Sequence, residues 1–322
     1  MKALIFEQFG GPEVLQYKEI SDPILDRDQI LVRTKAIGLN FADVYRRKGN
    51  YHLAGKPPYI LGYEGAGIVE SVPKHIHHIQ IGDRIAFADV PFANAELVAV
   101  PADRAIPLPV DISFEHAAGL LLQGMTAHYL VNDSYPVQAG DEVLIHAAAG
   151  GVGQLLIQLC KSKGARVMGL TSSEVKKQVA LDAGADEVIL YSADWVQEVL
   201  QWSYEKNGVQ VAYDSVGATL MDSFAAVRIK GTVVFYGMAG GDPAPVDPRT
   251  LMDTSKTLTG GDLWNHVTSL DNRIKRAHDL FGALREGNLN MDTLTTFSLK
   301  DGAEAHRLLE SRQSVGKILL IP

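Results

Sequence analysis

His146-Ala147-Ala148-Ala149-Gly150-Gly151-Val152-Gly153 is the stretch on which the fold turns. Just before and into it, Glu142–Ala147 (EVLIHA) is a short, mostly apolar run, the pattern of a strand buried on both faces. After it, Val152, Leu155, Leu156, Leu159 and Cys160 recur at the spacing of a buried helical stripe. A strand, a turn of small residues and a helix are the context that a dinucleotide-binding turn requires. Glycine lets the backbone approach a pyrophosphate, and the helix start offers free N–H groups at the positive end of its dipole. The spacing Ala147-x-x-Gly150-x-x-Gly153 is a variant of GxGxxG. Taken alone, it also reads as a tight turn whose small residues serve packing.

The neighbourhood separates these readings. Further strand-like runs begin near Ala165 (ARVMGL), Glu187 (EVILY), Val209 (VQVAYD) and Gly231 (GTVVFYG). Each interval has room for a helix and two turns, so strand and helix alternate, as in a parallel sheet with right-handed crossovers. The first 120 or so residues read differently. Gln29–Ala36 (QILVRTKA), Ala66–Val72 (AGIVESV) and Asp83–Phe87 (DRIAF) are short β-rich runs set among Gly, Pro and Asp, the look of a partly closed barrel or sandwich. Late in the chain come an amphipathic helix near Ser269–Arg285 and a strand-like Gly316–Ile321 (GKILLI). The α/β block therefore reads as an insertion. The expected division is 1–123 with 266–322 as a mostly β catalytic domain, and 124–265 as a Rossmann-like α/β domain.

Composition narrows the function classes. The chain has 322 residues, a formal charge of −8 and 46% hydrophobic residues, which suits two ordinary globular domains. The acidic balance speaks against nucleic acid and anionic membranes, which need clustered positive charge. One cysteine, Cys160, allows neither an internal disulfide nor a cysteine-built structural zinc site. There is no signal-peptide-like start and no apolar run long enough to span a membrane, so a cytoplasmic enzyme is expected.

The second strand of the α/β block leads into Thr171-Ser172-Ser173, with Lys176 and Lys177 on the next helix. An NAD site usually carries an acid there for the ribose hydroxyls. Hydroxyls and a cation suit a 2′-phosphate instead, so NADPH is the expected cofactor. Glu174 is the counter-argument, and a solvated helix face is the plain alternative for the lysine pair.

The chain resembles the medium-chain dehydrogenase/reductase superfamily over essentially its full length. Within that superfamily it is most similar to the zinc-free NADPH:quinone oxidoreductases, the zeta-crystallin-like branch. The resemblance is carried by Gly11-Pro12-Glu13-Val14-Leu15, by Gly38-Leu39-Asn40-Phe41-Ala42-Asp43 with Tyr45, and by Gly62-Tyr63-Glu64-Gly65-Ala66-Gly67. It continues through Gly82-Asp83-Arg84, Gln123-Gly124-Met125-Thr126, the HAAAGGVG turn, Tyr213-Asp214-Ser215-Val216-Gly217 and Glu310-Ser311-Arg312. It implies a chaperonin-10-like β domain, a Rossmann domain and an active site in the cleft between them. It also implies that Asn40, Tyr45 and Thr126 line the nicotinamide and that Gly150, Gly151 and Val152 cover the pyrophosphate. Ser172, Lys176, Tyr191 and Arg312 would hold the adenosine end, and Gly237 and Leu263 would close over the nicotinamide ribose. For Tyr191 and Arg312 the residues alone suggest only surface positions. A homodimer is expected from the same resemblance.

Zinc-dependent relatives carry a Cys ligand where this chain reads Gly38-Leu39-Asn40 and a His where it reads Gly62-Tyr63-Glu64. A catalytic zinc needs three protein ligands. His75, His77 and His78 cluster, but in a turn, where adjacent side chains diverge; exposed loop histidines are the expectation. Without a Lewis acid, an acceptor that is already electrophilic suits the site: a quinone, or alternatively the C=C bond of an enal or enone. Tyr45, Tyr51, Tyr63 and Asn40 are the candidate catalytic residues, the tyrosines as hydrogen-bond donors or as an aromatic wall. A cofactor-binding protein with little turnover, including an RNA binder, is the alternative from another class, which the absence of basic-aromatic tracts disfavours.

Overall fold

The computed structural model describes residues 1–311 and 313–322. They form two compact units: Met1–Met125 with Val267–Gly282 and Met291–Pro322, and Thr126–His266 with Ala283–Asn290.

The N-terminal part of the first unit carries β1 (Lys2–Phe6), β2 (Gln16–Glu19), β3 (Gln29–Leu39), α1 (Phe41–Arg47), β4 (Tyr59–Ile60), β5 (Glu64–Ser71), β6 (Arg84–Ala88), β7 (Leu97–Pro101) and β8 (Ile106–Pro107). Helix α2 (Phe114–Tyr129) follows. Strand β3 organises this unit. Its residues alternate between inward and outward up to Thr34 and are buried without a break from Ala36 to Leu39. The first stretch shows one face to the core, and the second is covered on both.

The second unit alternates β9 (Glu142–Ile145), α3 (Gly151–Ser162), β10 (Arg166–Thr171), α4 (Glu174–Asp182), β11 (Glu187–Leu190), α5 (Trp195–Trp202), β12 (Val209–Asp214), α6 (Leu220–Ala226), β13 (Val227–Phe235), α7 (Pro248–Thr254) and β14 (Thr257–Gly260). Its six strands are all parallel, in the order β11-β10-β9-β12-β13-β14. The chain leaves β9 toward one edge and returns to β12 on its other side. The order therefore reverses between β9 and β12, and at such a switch point the crevice outside the strand ends takes ligands. The α/β class expected from the sequence is the one that forms.

The chain closes with α8 (Leu270–Arg285), β15 (Leu294–Ser298), α9 (Gly302–Glu310) and β16 (Lys317–Ile321). Strand β16 pairs antiparallel with the end of β3, Ile318 opposite Leu39, and parallel with β15. The larger sheet of the first unit runs β15-β16-β3-β5-β6-β8, with β7 also paired to β3. Phe6, Ile30, Val32, Ile37, Phe87 and Leu320 lie in its core.

Two strands of the second unit depart from the sequence reading. Strand β13 begins at Val227 rather than Gly231: Arg228, Ile229 and Lys230 are exposed, so their residue pattern hides a strand start. Strand β14 was not foreseen at all. It is an edge strand with three of its four residues exposed, so it lacks the apolar run that marks its neighbours.

Candidate active site

In the second unit the motif forms the turn it predicts. Gly150 is the N-cap of α3, no side chain among the described residues caps that helix start, and its first turn holds no acid. The leading N–H groups of α3 are thus left for an anion. Ala147 adopts a left-handed conformation with φ 49°, and the Gly150 N–H donates to the Ala147 carbonyl at 2.8 Å. At Gly153, which must be glycine, a Cβ would lie 2.5 Å from the Ala147 carbonyl oxygen. The Gln154 amide donates to the Ala149 carbonyl at 2.8 Å, bracing the turn from inside. These features fit a pyrophosphate.

Strand β10 ends at Thr171, followed by exposed Ser172 and by Ser173, whose hydroxyl accepts the Lys176 N–H at 3.4 Å as the N-cap of α4. Lys176 is half-buried and Glu174 exposed. Tyr191 directs its hydroxyl inward, 3.2 Å from the Ala147 amide nitrogen and 3.1 Å from His146 Nδ1. Gly237 is half-buried in the loop after β13, and Leu263 is buried in a short 3-10 helix that the Asp262 side chain caps. Thr126 lies half-buried on α2. Arg312 lies outside the described residues.

In the first unit, Asn40, Glu64 and Lys317 come together from the ends of β3, β5 and β16, all of them buried. The Lys317 ammonium donates to Glu64 Oε1 and, at 2.9 Å, to Asn40 Oδ1. The Asn40 amide donates to Glu64 Oε1 at 2.7 Å, and Gln123 donates to Asn40 Oδ1 at 3.3 Å. Glu64 Oε2 accepts the Leu122 N–H at 2.8 Å. Gly38 makes this possible, because a Cβ there would overlap the Glu64 carboxylate and the Ala118 carbonyl. A buried lysine and glutamate hold one another only when well hydrogen-bonded, and here both are.

Asn40 also starts α1: its N–H donates to Asp43 Oδ2 at 3.0 Å, one arm of a capping box. Burial pushes the Asp43 carboxyl up, against the pull of Arg46 at 3.6 Å and the Asn40 N–H. Tyr45 is half-buried on α1, its ring 6.1 Å from that of Phe41. The Arg46 guanidinium lies 3.5 Å from the centre of the Tyr63 ring and 4.9 Å from that of Tyr51. Such stacking is attractive when desolvated, and Arg46 is fully buried. Its Nε donates to the His52 carbonyl at 3.1 Å, whereas Nη1 and Nη2 make no hydrogen bond among the described residues. The Tyr63 hydroxyl accepts the Ala54 N–H at 3.2 Å. The structure therefore links Tyr51 and Tyr63 through one arginine, and Asn40 to Tyr45 through one helix start.

Among the described residues no group of three or more His, Cys, Asp or Glu could hold a metal ion. His75 is exposed and pairs with Asp28 at 2.8 Å, and His77 and His78 are exposed. The segments where zinc-dependent relatives keep their ligands are bridged here by the Lys317 ammonium, and both Glu64 oxygens are occupied. This donor set does not fit zinc. Sequence reasoning missed Lys317 and the role of Glu64. The available signal was a lysine opening the otherwise apolar β16 and an acid opening β5, which carries a second acid, Glu70, near its far end.

Comparison with known proteins agrees with this architecture. The alcohol dehydrogenase GroES-like domain family matches residues 26–131, and the zinc-binding dehydrogenase family matches residues 151–281. A 2-haloacrylate reductase from Burkholderia is 34% identical, covering 99% of this chain and 98% of its own length. A quinone oxidoreductase from Salmonella typhimurium is 37% identical, with 98% of each covered. The crystal structure of Escherichia coli quinone oxidoreductase complexed with NADPH superposes with a TM-score of 0.95 at 36% identity, covering 100% of both chains. The chain belongs to the medium-chain dehydrogenase/reductase superfamily, in its quinone oxidoreductase branch.

Proposed function

We propose that this chain is an NADPH-dependent oxidoreductase that reduces a quinone without a metal. The observation that carries the reading is the uncapped, acid-free start of α3 beside the switch point, which suits a pyrophosphate. The similarity to quinone oxidoreductases, one of them complexed with NADPH, supports the cofactor and the acceptor. In this reading Gly150, Gly151 and Val152 cover the pyrophosphate, Ser172 and Lys176 meet the 2′-phosphate, and Tyr191 lies against the turn. Asn40, Tyr45, Thr126, Gly237 and Leu263 shape the nicotinamide end. When bound, the cofactor supplies a hydride. A quinone is already electrophilic, so the protein has only to orient it and offer hydrogen bonds to its oxygens. The Asn40 amide is engaged by Lys317, Gln123 and Glu64. That leaves Tyr45, Tyr51 and Tyr63 as the candidate donors.

A second reading, reduction of a conjugated C=C bond, is favoured by the similarity to a 2-haloacrylate reductase. Comparing kcat/KM for a para-quinone, an enone and 2-chloroacrylate with NADPH separates them. The quinone should lead, and a lead for either other acceptor would favour the second reading. Tyr45→Phe should lower kcat for the quinone about 10²-fold with NADPH affinity nearly unchanged. Unchanged single-turnover rates in Tyr45→Phe, Tyr51→Phe and Tyr63→Phe alike would refute the donor role.

We further propose a homodimer. The support is the free edge of β14, with Leu258 exposed on it and Met252 exposed in the preceding helix. Sedimentation of wild type against Leu258→Lys tests this. No helix among the described residues is long and apolar enough to cross a membrane. The single buried free thiol, Cys160, suits our placement of the protein in the reducing cytoplasm.

A further inference from the structure

The second unit contains a hydrogen-bonded chain of which the proposed function uses only Tyr191. It starts at Asp214, the last residue of β12, and passes through Ser223 of α6 and His146 after β9 to Tyr191 after β11. Ser223 Oγ lies 2.7 Å from Asp214 Oδ2 and 3.0 Å from His146 Nε2. His146 Nδ1 lies 3.1 Å from the Tyr191 hydroxyl, and the Ala147 N–H points at that hydroxyl from 3.2 Å. His146, Ser223 and Asp214 are fully buried.

Counting protons fixes the direction of every link. Asp214 is an acceptor: Oδ1 takes the Val216 and Gly217 N–H groups, and Oδ2 takes the Thr219 and Ser223 hydroxyls. Four donors turned on its two oxygens leave no place for a proton, so it is ionised. Ser223 Oγ also lies 3.1 Å from the Thr219 carbonyl, but a lone pair on Ser223 cannot face the carboxylate at 2.7 Å, so the single Ser223 hydroxyl hydrogen goes to Asp214. Ser223 must then accept from His146, which puts a hydrogen on Nε2. Burial pushes the His146 imidazole down, keeping it neutral and leaving Nδ1 bare. Burial likewise pushes the Tyr191 phenol up, so it keeps its proton. That proton goes to Nδ1, and the Tyr191 oxygen accepts from Ala147. The whole chain is polarised toward one anion, the arrangement in which each bond strengthens the next.

We propose that Tyr191, backed by His146, Ser223 and Asp214, is a positioning residue that holds Ala147 in the conformation that shapes the pyrophosphate turn. The proposal rests on the reading of this turn as the NADPH site. Ala147 is not glycine, yet its φ is 49°, a conformation that neighbours must hold in place. Among the described residues its N–H donates only to the Tyr191 hydroxyl. The Tyr191 hydroxyl hydrogen is committed to His146, so this residue has no donor left for a 2′-phosphate. Its effect on the cofactor therefore passes through the turn, which NADPH and NADH share.

The test measures dissociation constants of NADPH and NADH for wild type, Tyr191→Phe and Ser223→Ala, with the His146 tautomer read from its imidazole nitrogen shifts. Tyr191→Phe should weaken both dinucleotides by the same factor, about 3- to 10-fold. Ser223→Ala, two links from the turn, should weaken both equally but less. The wild-type imidazole should carry its hydrogen on Nε2. A larger loss for NADPH than for NADH in Tyr191→Phe would mean a direct phosphate contact and overturn the proposal. So would unchanged affinities, or a hydrogen on Nδ1. If wild type bound neither dinucleotide, the functional reading would fail, while the tautomer would still decide the direction of the chain. If Tyr191→Phe did not fold, Ser223→Ala and the tautomer would decide.

Discussion

The network around Glu64 in the first unit and the network around Tyr191 in the second hold their buried polar groups in opposite ways. The first unit stores full charges in its interior: Lys317 against Glu64, Arg46 beside Asp43, and Arg47 against Glu310. The Tyr191 network of the second unit, unlike the Glu142–Arg166 ion pair in the same unit, uses neutral dipoles that hand a polarity from Ala147 through Tyr191, His146 and Ser223 to one carboxylate, Asp214. Breaking a buried ion pair strands a charge, which costs far more than the pair contributes. Breaking a neutral link removes about one hydrogen bond. Single substitutions in the first network should therefore act on folding, and those in the second on the turn and its ligand.

The largest effect should come from Lys317→Met. It leaves the Glu64 carboxylate buried without its cation and should lower the unfolding free energy by about 3–5 kcal/mol, read from denaturant melts. A loss no larger than that of Ser223→Ala would break the contrast between the units. Next comes acid stability. His306 on α9 is buried with neither ring nitrogen hydrogen-bonded among the described residues, and burial, with Arg47 nearby, pushes it from 6.5 down to about 3. The unfolded chain binds this proton below pH 6.5, whereas the folded chain does not until about pH 3. Its contribution to stability is therefore complete above pH 6.5 and falls with pH across that window, by about 1.4 kcal/mol per pH unit. His306→Leu should make the acid limb of stability against pH shallower by about one proton's worth. An unchanged limb would place the acid sensitivity elsewhere. The smallest effect is at the adenosine end, where Lys176→Ala should weaken NADPH about 10-fold and leave NADH nearly untouched. Equal losses would remove Lys176 from the 2′-phosphate.

The two units also differ in how far they can be read from sequence. The β9 turn and the strands around it were legible because a doubly covered parallel strand is apolar throughout and its helix keeps a regular stripe. Strand β14 was not, because an exposed edge needs no apolar pattern. Asn40 and Tyr45 stood in recognisable segments, but the pairing of Asn40 with Lys317 joins residues 277 positions apart. No local periodicity reports such a contact. His146 stood in the motif itself, yet its partners Ser223 and Tyr191 come from α6 and the end of β11, and only the strand order brings them together. The motif shows where a dinucleotide turn lies; what holds the turn is written across the sheet.

The central claim is metal-free transfer of reducing equivalents from NADPH to a quinone. It is tested most directly by NADPH oxidation with a para-quinone, using protein stripped by chelator and verified free of zinc by elemental analysis. The account predicts the same kcat before and after stripping, and no gain when zinc is added back. Activity lost on stripping and restored by stoichiometric zinc would contradict it.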